Sequence, residues 1–153
     1  MQNLRVYKVN QHQHTPEIEQ QLLQWNNSIQ PVTFTTHLLP ITRGIMTTAY
    51  VQLKNEMRTT QLLELYSEIY HQHPFIRIRP ENTFPSIKEV AGSNYCDIGL
   101  HADNRTGRLT IVSVIDNFAT QDFLKISKIN FGDRELSNSS AYRLSNFRST
   151  PYG

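Results

Sequence analysis

Two apolar runs joined by a turn constrain this chain more than any other feature. Tyr95–Leu100 and Leu109–Ile115 flank a connection that contains Asp103-Asn104-Arg105-Thr106-Gly107. Short aliphatic runs with Asp, Asn and Gly between them predict a β-hairpin. Ile45–Leu53 reads as a further long strand, and Val32–Leu39, rich in β-branched residues, as one that Pro40 stops. Short strands are expected around Tyr7, from Leu4, Val6 and Val9, and at Phe75–Ile78 before Pro80. Glu81–Ser86 reads as loop.

Two helices interrupt these strands. From Thr15 to about Asn26, the residues Ile18, Leu22 and Trp25 recur at helical spacing and form an apolar stripe. Thr15 suits the N-cap and Pro16 the first helical position, while Glu17 and Glu19 complement the positive end of the dipole. From Thr59 or Thr60 to Tyr70, the side chains of Leu62, Leu63, Tyr66, Ile69 and Tyr70 share one broad face. About six strands that mostly follow one another, with two helices, predict an α+β fold: a mostly antiparallel mixed sheet flanked by helices. Residues 1–118 are expected to form that domain. Residues 119–153 are expected to be a divergent, partly disordered tail, with Phe123, Leu124, Ile126, Ile129 and Phe131 enough for one marginal helix or strand.

The charge distribution narrows the partners. Residues 1–118 hold ten Lys/Arg and ten Asp/Glu, so the net +2 of the whole chain comes from the tail. Nucleic-acid binders carry their basic surface on the folded part, so no nucleic-acid partner is expected. No apolar run approaches the roughly 20 residues of a membrane helix, and the N-terminus has no apolar core of a secretory signal. With a single cysteine there is no internal disulfide, and the chain reads as cytoplasmic.

Chemistry concentrates at His12 and His14, where a strand runs into a helix. A histidine titrates near neutrality and can act as a general acid or base. In extended backbone the two would point to opposite sides, leaving only one catalytic. Tyr7, on the lead-in strand, either touches substrate with its hydroxyl or packs as a buried aromatic. Arg43, between Pro40 and Gly44, is placed to offer a guanidinium fork to a carboxylate or phosphate. His37 reads as structural. Gly92-Ser93-Asn94 either cradles an anion, with Ser93 and Asn94 as substrate contacts, or simply leads into a strand. Cys96 lies mid-strand beside Asp97, which disfavours a thiolate, and reads as a buried core residue. The pairs His12/His14 and His71/His73, with His101, are not expected to bind metal, because nothing in the sequence brings them together.

Four motifs occur in one order along residues 5–117: Y-K-V-N-Q-H-Q-H-T-P-E-I-E-Q at 7–20, F-T-T-H-L-L-P-I-T-R-G-I at 34–45, G-S-N-Y-C-D-I-G at 92–99, and G-R-L followed by I-D-N at 107–117. In this the chain resembles the second half of the N-acetyl-gamma-glutamyl-phosphate reductases of arginine biosynthesis. The resemblance implies the catalytic and dimerisation domain of a two-domain enzyme, folded like the C-terminal domain of glyceraldehyde-phosphate and semialdehyde dehydrogenases. The implied activity is NADPH-dependent reduction of N-acetyl-glutamyl phosphate to its semialdehyde through a cysteine thioester, with His12 or His14 as proton-transfer partner, in a homodimer. The sequence departs from the family's pattern in two ways. It has no glycine-rich cofactor turn and no G-N-P-G-C-Y nucleophile motif, so NADP is expected only in the complete enzyme, not on this chain alone, and no turnover is expected from the chain alone. After Asn117 it reads F-A-T-Q-D-F-L-K in place of the family's K-G-A-x-G-Q-A helix. The alternatives are a non-catalytic dimeric binding or assembly module and the matching piece of an N-acyl-amino-acid phosphate reductase of lysine biosynthesis.

Overall fold

The computed structural model describes residues 3–116 and 147–148. They belong to two compact units, residues 3–42 and residues 43–116 with 147–148. The remainder of the expected tail lies outside the described residues.

In the first unit, β1 (Arg5–Tyr7) pairs antiparallel with β2 (Thr36–Leu38), Arg5 opposite Leu38 and Tyr7 opposite Thr36. The helix α1 (Thr15–Trp25) follows β1 and buries Leu22 from its apolar stripe. The strand expected over Val32–Leu39 contracts to three residues. Its first part has no ladder partner, and the Val32 N–H donates to Glu19 Oε1 at 3.1 Å. The expected cap also moves by one residue. His14 is the N-cap, without a side-chain cap bond, and Thr15 is the first residue of α1.

The second unit is a five-stranded sheet in the order β4-β5-β6-β3-β7. Its centre is the expected hairpin, β5 (Cys96–Asp103) and β6 (Arg108–Ile115), in register from Cys96–Ile115 to Asp103–Arg108. The Asp103 carbonyl accepts from the Gly107 N–H at 2.8 Å, and Gly107 supplies the left-handed residue this turn requires, with φ +66°. β3 (Ile45–Leu53) lies antiparallel to β6, and β7 (Phe147–Arg148) pairs with the end of β3. β4 (Ile76–Ile78) is parallel to β5, which makes the sheet mixed.

Alternate residues of β5 and β6 turn Ile98, Leu100, Leu109 and Ile111 into a core closed by Leu62, Tyr66 and Tyr70 of α2 (Thr59–Tyr70). Thr59 Oγ1 accepts the Ala102 N–H at 3.0 Å, fixing the start of α2 to β5. On the opposite face, residues 83–85 lie against Gly99, where an added Cβ would stand 3.0 Å from Phe84 Cδ1 and from Pro85 Cδ. The short helix α3 (Ile87–Val90), not expected from periodicity, follows with a Ser86–Glu89 capping box and buries Val90. Further along β3 the same face is open, with Met46 49% and Tyr50 65% exposed.

Edge strand β4 is tied to its neighbour by charge as well as by its ladder. Asp97, fully buried, accepts from Arg77 Nε at 2.6 Å and Nη2 at 2.9 Å, and Arg77 stacks over the Tyr95 ring at 4.1 Å. Among the described residues, no helix is long and apolar enough to cross a membrane.

Candidate catalytic and anion-binding residues

His12 and His14 sit in a turn, not in extended backbone. Lys8 and Asn10 adopt left-handed φ values of +47° and +52°, and the Gln11 and Thr15 amides donate to the carbonyls of Lys8 and His12 at 3.1 and 3.0 Å. The two rings consequently lie together, with centroids 5.1 Å apart. The opposite-sides expectation fails because its premise, an extended chain, fails.

Their hydrogen bonds give the two rings different chemistry. His14 Nδ1 is 2.7 Å from Glu17 Oε2, across one turn of helix. The carboxylate accepts the Nδ1 proton, so the neutral ring carries its lone pair on Nε2 and can take a proton there. At His12 the arrangement is reversed. The His14 backbone N–H donates to His12 Nδ1 at 3.3 Å, so the neutral His12 ring carries its proton on Nε2 and presents a donor. The rings of Tyr7 and Phe34 meet His12 edge-on, with centroids at 6.1 and 5.4 Å. Burial holds the His12 pKa below the usual histidine value, with His14 and Lys8 adding to the effect. His12 is therefore a neutral donor near pH 7, beside a base that a carboxylate orients.

In the second unit, Arg43 Nε lies 3.3 Å from Asp116 Oδ2, which also accepts the Gly92 N–H at 2.5 Å. The turn after α3 uses its own polar groups internally. The Ser93 N–H and hydroxyl donate to the Val90 carbonyl at 3.0 and 2.7 Å, and the Ser93 hydroxyl accepts the Tyr95 N–H at 3.3 Å. The Gly92 and Ser93 amides expected to cradle an anion thus have partners in the protein, while Asn94 stands exposed.

Cys96, His37 and His71 are the remaining residues singled out in the sequence. Cys96 is buried on β5, and burial, with Asp97 adding, pushes its thiol up to about 12, which excludes it as a nucleophile at neutral pH. His37 is exposed on β2, and His71 Nδ1 donates to the Glu68 carbonyl at 2.7 Å. Among the described residues, no three His, Cys, Asp or Glu side chains gather as a metal site. Three partners went unread in the sequence: Glu17, Phe34 and Asp116. The spacing of His14 and Glu17 could have disclosed the first; no local signal marks the other two.

Residues 1–117 match the family profile described as semialdehyde dehydrogenase, dimerisation domain. The chain belongs to that family. It is 64% identical over 115 residues to the N-acetyl-gamma-glutamyl-phosphate reductase of Bacillus cereus strain AH187, and equally to that of Bacillus anthracis; the Bacillus thuringiensis subsp. konkukian reductase is 61% identical over the same length. These alignments cover 75% of the chain but 33% of each relative, so the chain spans about a third of the length of the curated relatives it matches.

Proposed function

We propose that this chain supplies the acid/base and substrate-binding part of an NADP-dependent N-acetyl-gamma-glutamyl-phosphate reductase, acting as a homodimer in the cytoplasm. The observation that carries the reading is the His14–Glu17 pair at 2.7 Å beside the His12 ring, in a chain 64% identical to named reductases. His14 takes a proton at Nε2 when a thiol must become a thiolate, and returns it when the tetrahedral centre collapses. His12 donates from Nε2 to an oxygen of the acyl group, where negative charge develops. Tyr7 and Phe34 hold the His12 ring. Arg43, Ser93 and Asn94 are the substrate-binding candidates of the second unit.

NADPH supplies the hydride in the complete enzyme. The chain has no glycine-rich turn between a strand and a helix, so none of its residues is given a cofactor contact. Residues 1–118 form the substrate-binding and dimerisation part, and 119–153 a divergent tail. The exposed Met46 and Tyr50 on β3 suit burial against a second copy.

The test is co-expression of the chain with the cofactor-carrying remainder of the Bacillus cereus reductase, followed by phosphate-dependent oxidation of N-acetylglutamate semialdehyde with NADP. His14→Ala should lower kcat by about 10²–10⁴-fold, the scale of a lost general base, and His12→Ala by a smaller factor. An active pair in which neither variant changes the rate would overturn the reading. So would a folded pair without activity, which would favour a binding module.

A further inference from the structure

The turn that carries the two histidines also carries a lysine in an unusual setting. Lys8 adopts a left-handed backbone, with φ +47°, and its carbonyl accepts the Gln11 N–H at 3.1 Å. That conformation is unfavourable for a residue with a Cβ. Asn10, at φ +52°, is a residue type that tolerates it. Lysine is not, so the needs of the turn alone do not account for Lys8.

Its ammonium is placed against the site. Lys8 Nζ stands over the Tyr7 ring, 5.3 Å from the centroid, within the range of a cation–π contact. The same ring meets His12 edge-on at 6.1 Å. The Lys8 charge also acts on the His12 ring, where it adds to the effects of burial and of His14. Glu17, the acidic side chain in the first turn of α1, is engaged by His14 Nδ1 at 2.7 Å. Among the described residues, no carboxylate forms an ion pair with Lys8.

The Lys8 ammonium, the Tyr7 hydroxyl and the His12 Nε2–H thus belong to one ring cluster, and each can donate a hydrogen bond. A set of donors that includes a cation and lacks a carboxylate is complementary to an oxyanion. We propose that Lys8 is a substrate-binding residue, whose ammonium seats an oxyanion, a phosphate or a carboxylate, beside the His12 donor. This rests on the reading of His12 as a substrate contact. A lysine that only packed on Tyr7 would stabilise the turn and leave anion affinity unchanged, which separates the two roles.

The experiment is an NMR titration of the full-length chain at constant ionic strength. The His12 ring resonances are followed while inorganic phosphate and N-acetyl-L-glutamate are added separately. In the wild type they move, and the anion that moves them at the lower concentration distinguishes a phosphate seat from a carboxylate seat. Lys8→Asn removes the charge and suits the left-handed backbone, so the turn is kept. It should weaken that anion about tenfold. Lys8→Arg should keep the affinity within about threefold, and Arg5→Gln, which removes a charge from β1, within about twofold.

Wild-type resonances that neither anion moves overturn the proposal, as does unchanged affinity in Lys8→Asn. An equal loss in Arg5→Gln overturns it too, since the effect would then be one of general charge. If Lys8→Asn does not fold, Lys8→Gln decides on the same criterion. In the pair co-expressed with the cofactor-carrying part, Lys8→Asn should raise KM about tenfold, for phosphate or for the semialdehyde according to the anion found. An active pair that depends on His14 but not on Lys8 removes this seat alone. An inactive pair, with Lys8-dependent binding in the isolated chain, removes the reductase reading and keeps the seat.

Discussion

Gly44, which follows Arg43 and starts the path into β3, cannot carry a side chain for two separable reasons. Its φ is +107°, a conformation L residues rarely adopt, and forcing alanine into it costs about 1–3 kcal/mol. In addition, the new Cβ would overlap Ile87 Cγ2, with Ile87 Cβ and Cγ1 behind it at 3.4 and 3.5 Å. Ile87 opens α3, whose first turn is held by the Ser86–Glu89 capping box, so it cannot simply swing aside. Overpacking of this kind costs about 1–3 kcal/mol. Gly44→Ala is therefore expected to destabilise the chain by about 2–6 kcal/mol in total. Ile87→Ala relieves the overlap and leaves the backbone strain. The variant with both changes should thus be more stable than the sum of the singles by about 1–3 kcal/mol. Equilibrium urea unfolding of the four proteins, followed by circular dichroism, measures this. With a slope of about 1–3 kcal/mol per molar urea, the Gly44→Ala midpoint falls by at least about 0.7 M. Strict additivity across the cycle, or a Gly44→Ala loss below about 1 kcal/mol, would falsify the reasoning.

Gly99→Ala should cost about 1–3 kcal/mol, because the contacts its Cβ meets at 3.0–3.1 Å include the Pro85 ring and the Thr83 carbonyl, which have little room to yield; faster proteolysis within residues 81–86 would report the lifted loop. His12 titrates below its unfolded value, so its neutral form is the one the fold favours. Its contribution to stability is present above the unfolded pKa and is lost as pH falls through the folded one. The NMR midpoint of its ring should lie below that of an unfolded peptide, and His12→Ala should lose less stability on acidification than the wild type; a midpoint above the peptide value refutes this. Cys96, with its thiol pushed to about 12 and its side chain buried, should resist a disulfide reagent at pH 8 and react on unfolding in urea. Rapid reaction in the native chain would count against the burial.

What could be read along the chain was what depends on near neighbours. The hairpin of β5 and β6 follows from two apolar runs and the Asp103–Gly107 turn, because turn chemistry is settled within a few residues. The buried face of α2 follows from helical spacing, since Leu62, Tyr66 and Tyr70 lie one turn or so apart. The helix α3 went unread, although Ser86 and Glu89 stand at capping-box spacing, because four residues are too few for a periodicity argument. His12 and His14 could be singled out because histidine is the side chain that titrates near neutral pH.

The sequence alone thus determined the α+β class, the hairpin, the two main helices and the residues able to do chemistry. Tertiary structure decided how those residues are used. Left-handed Lys8 and Asn10 bring His12 and His14 to one side. β2 is only as long as the three residues of β1 it pairs with, and β4 lies parallel to β5, with Arg77 paired to Asp97. Arg43 acquires its carboxylate from Asp116, 73 positions onward by their numbers (116 − 43). The physical reason is range. Periodicity and turn propensity are carried by adjacent residues, whereas ring contacts, ion pairs and strand direction exist only after chain closure brings distant segments within a few ångströms.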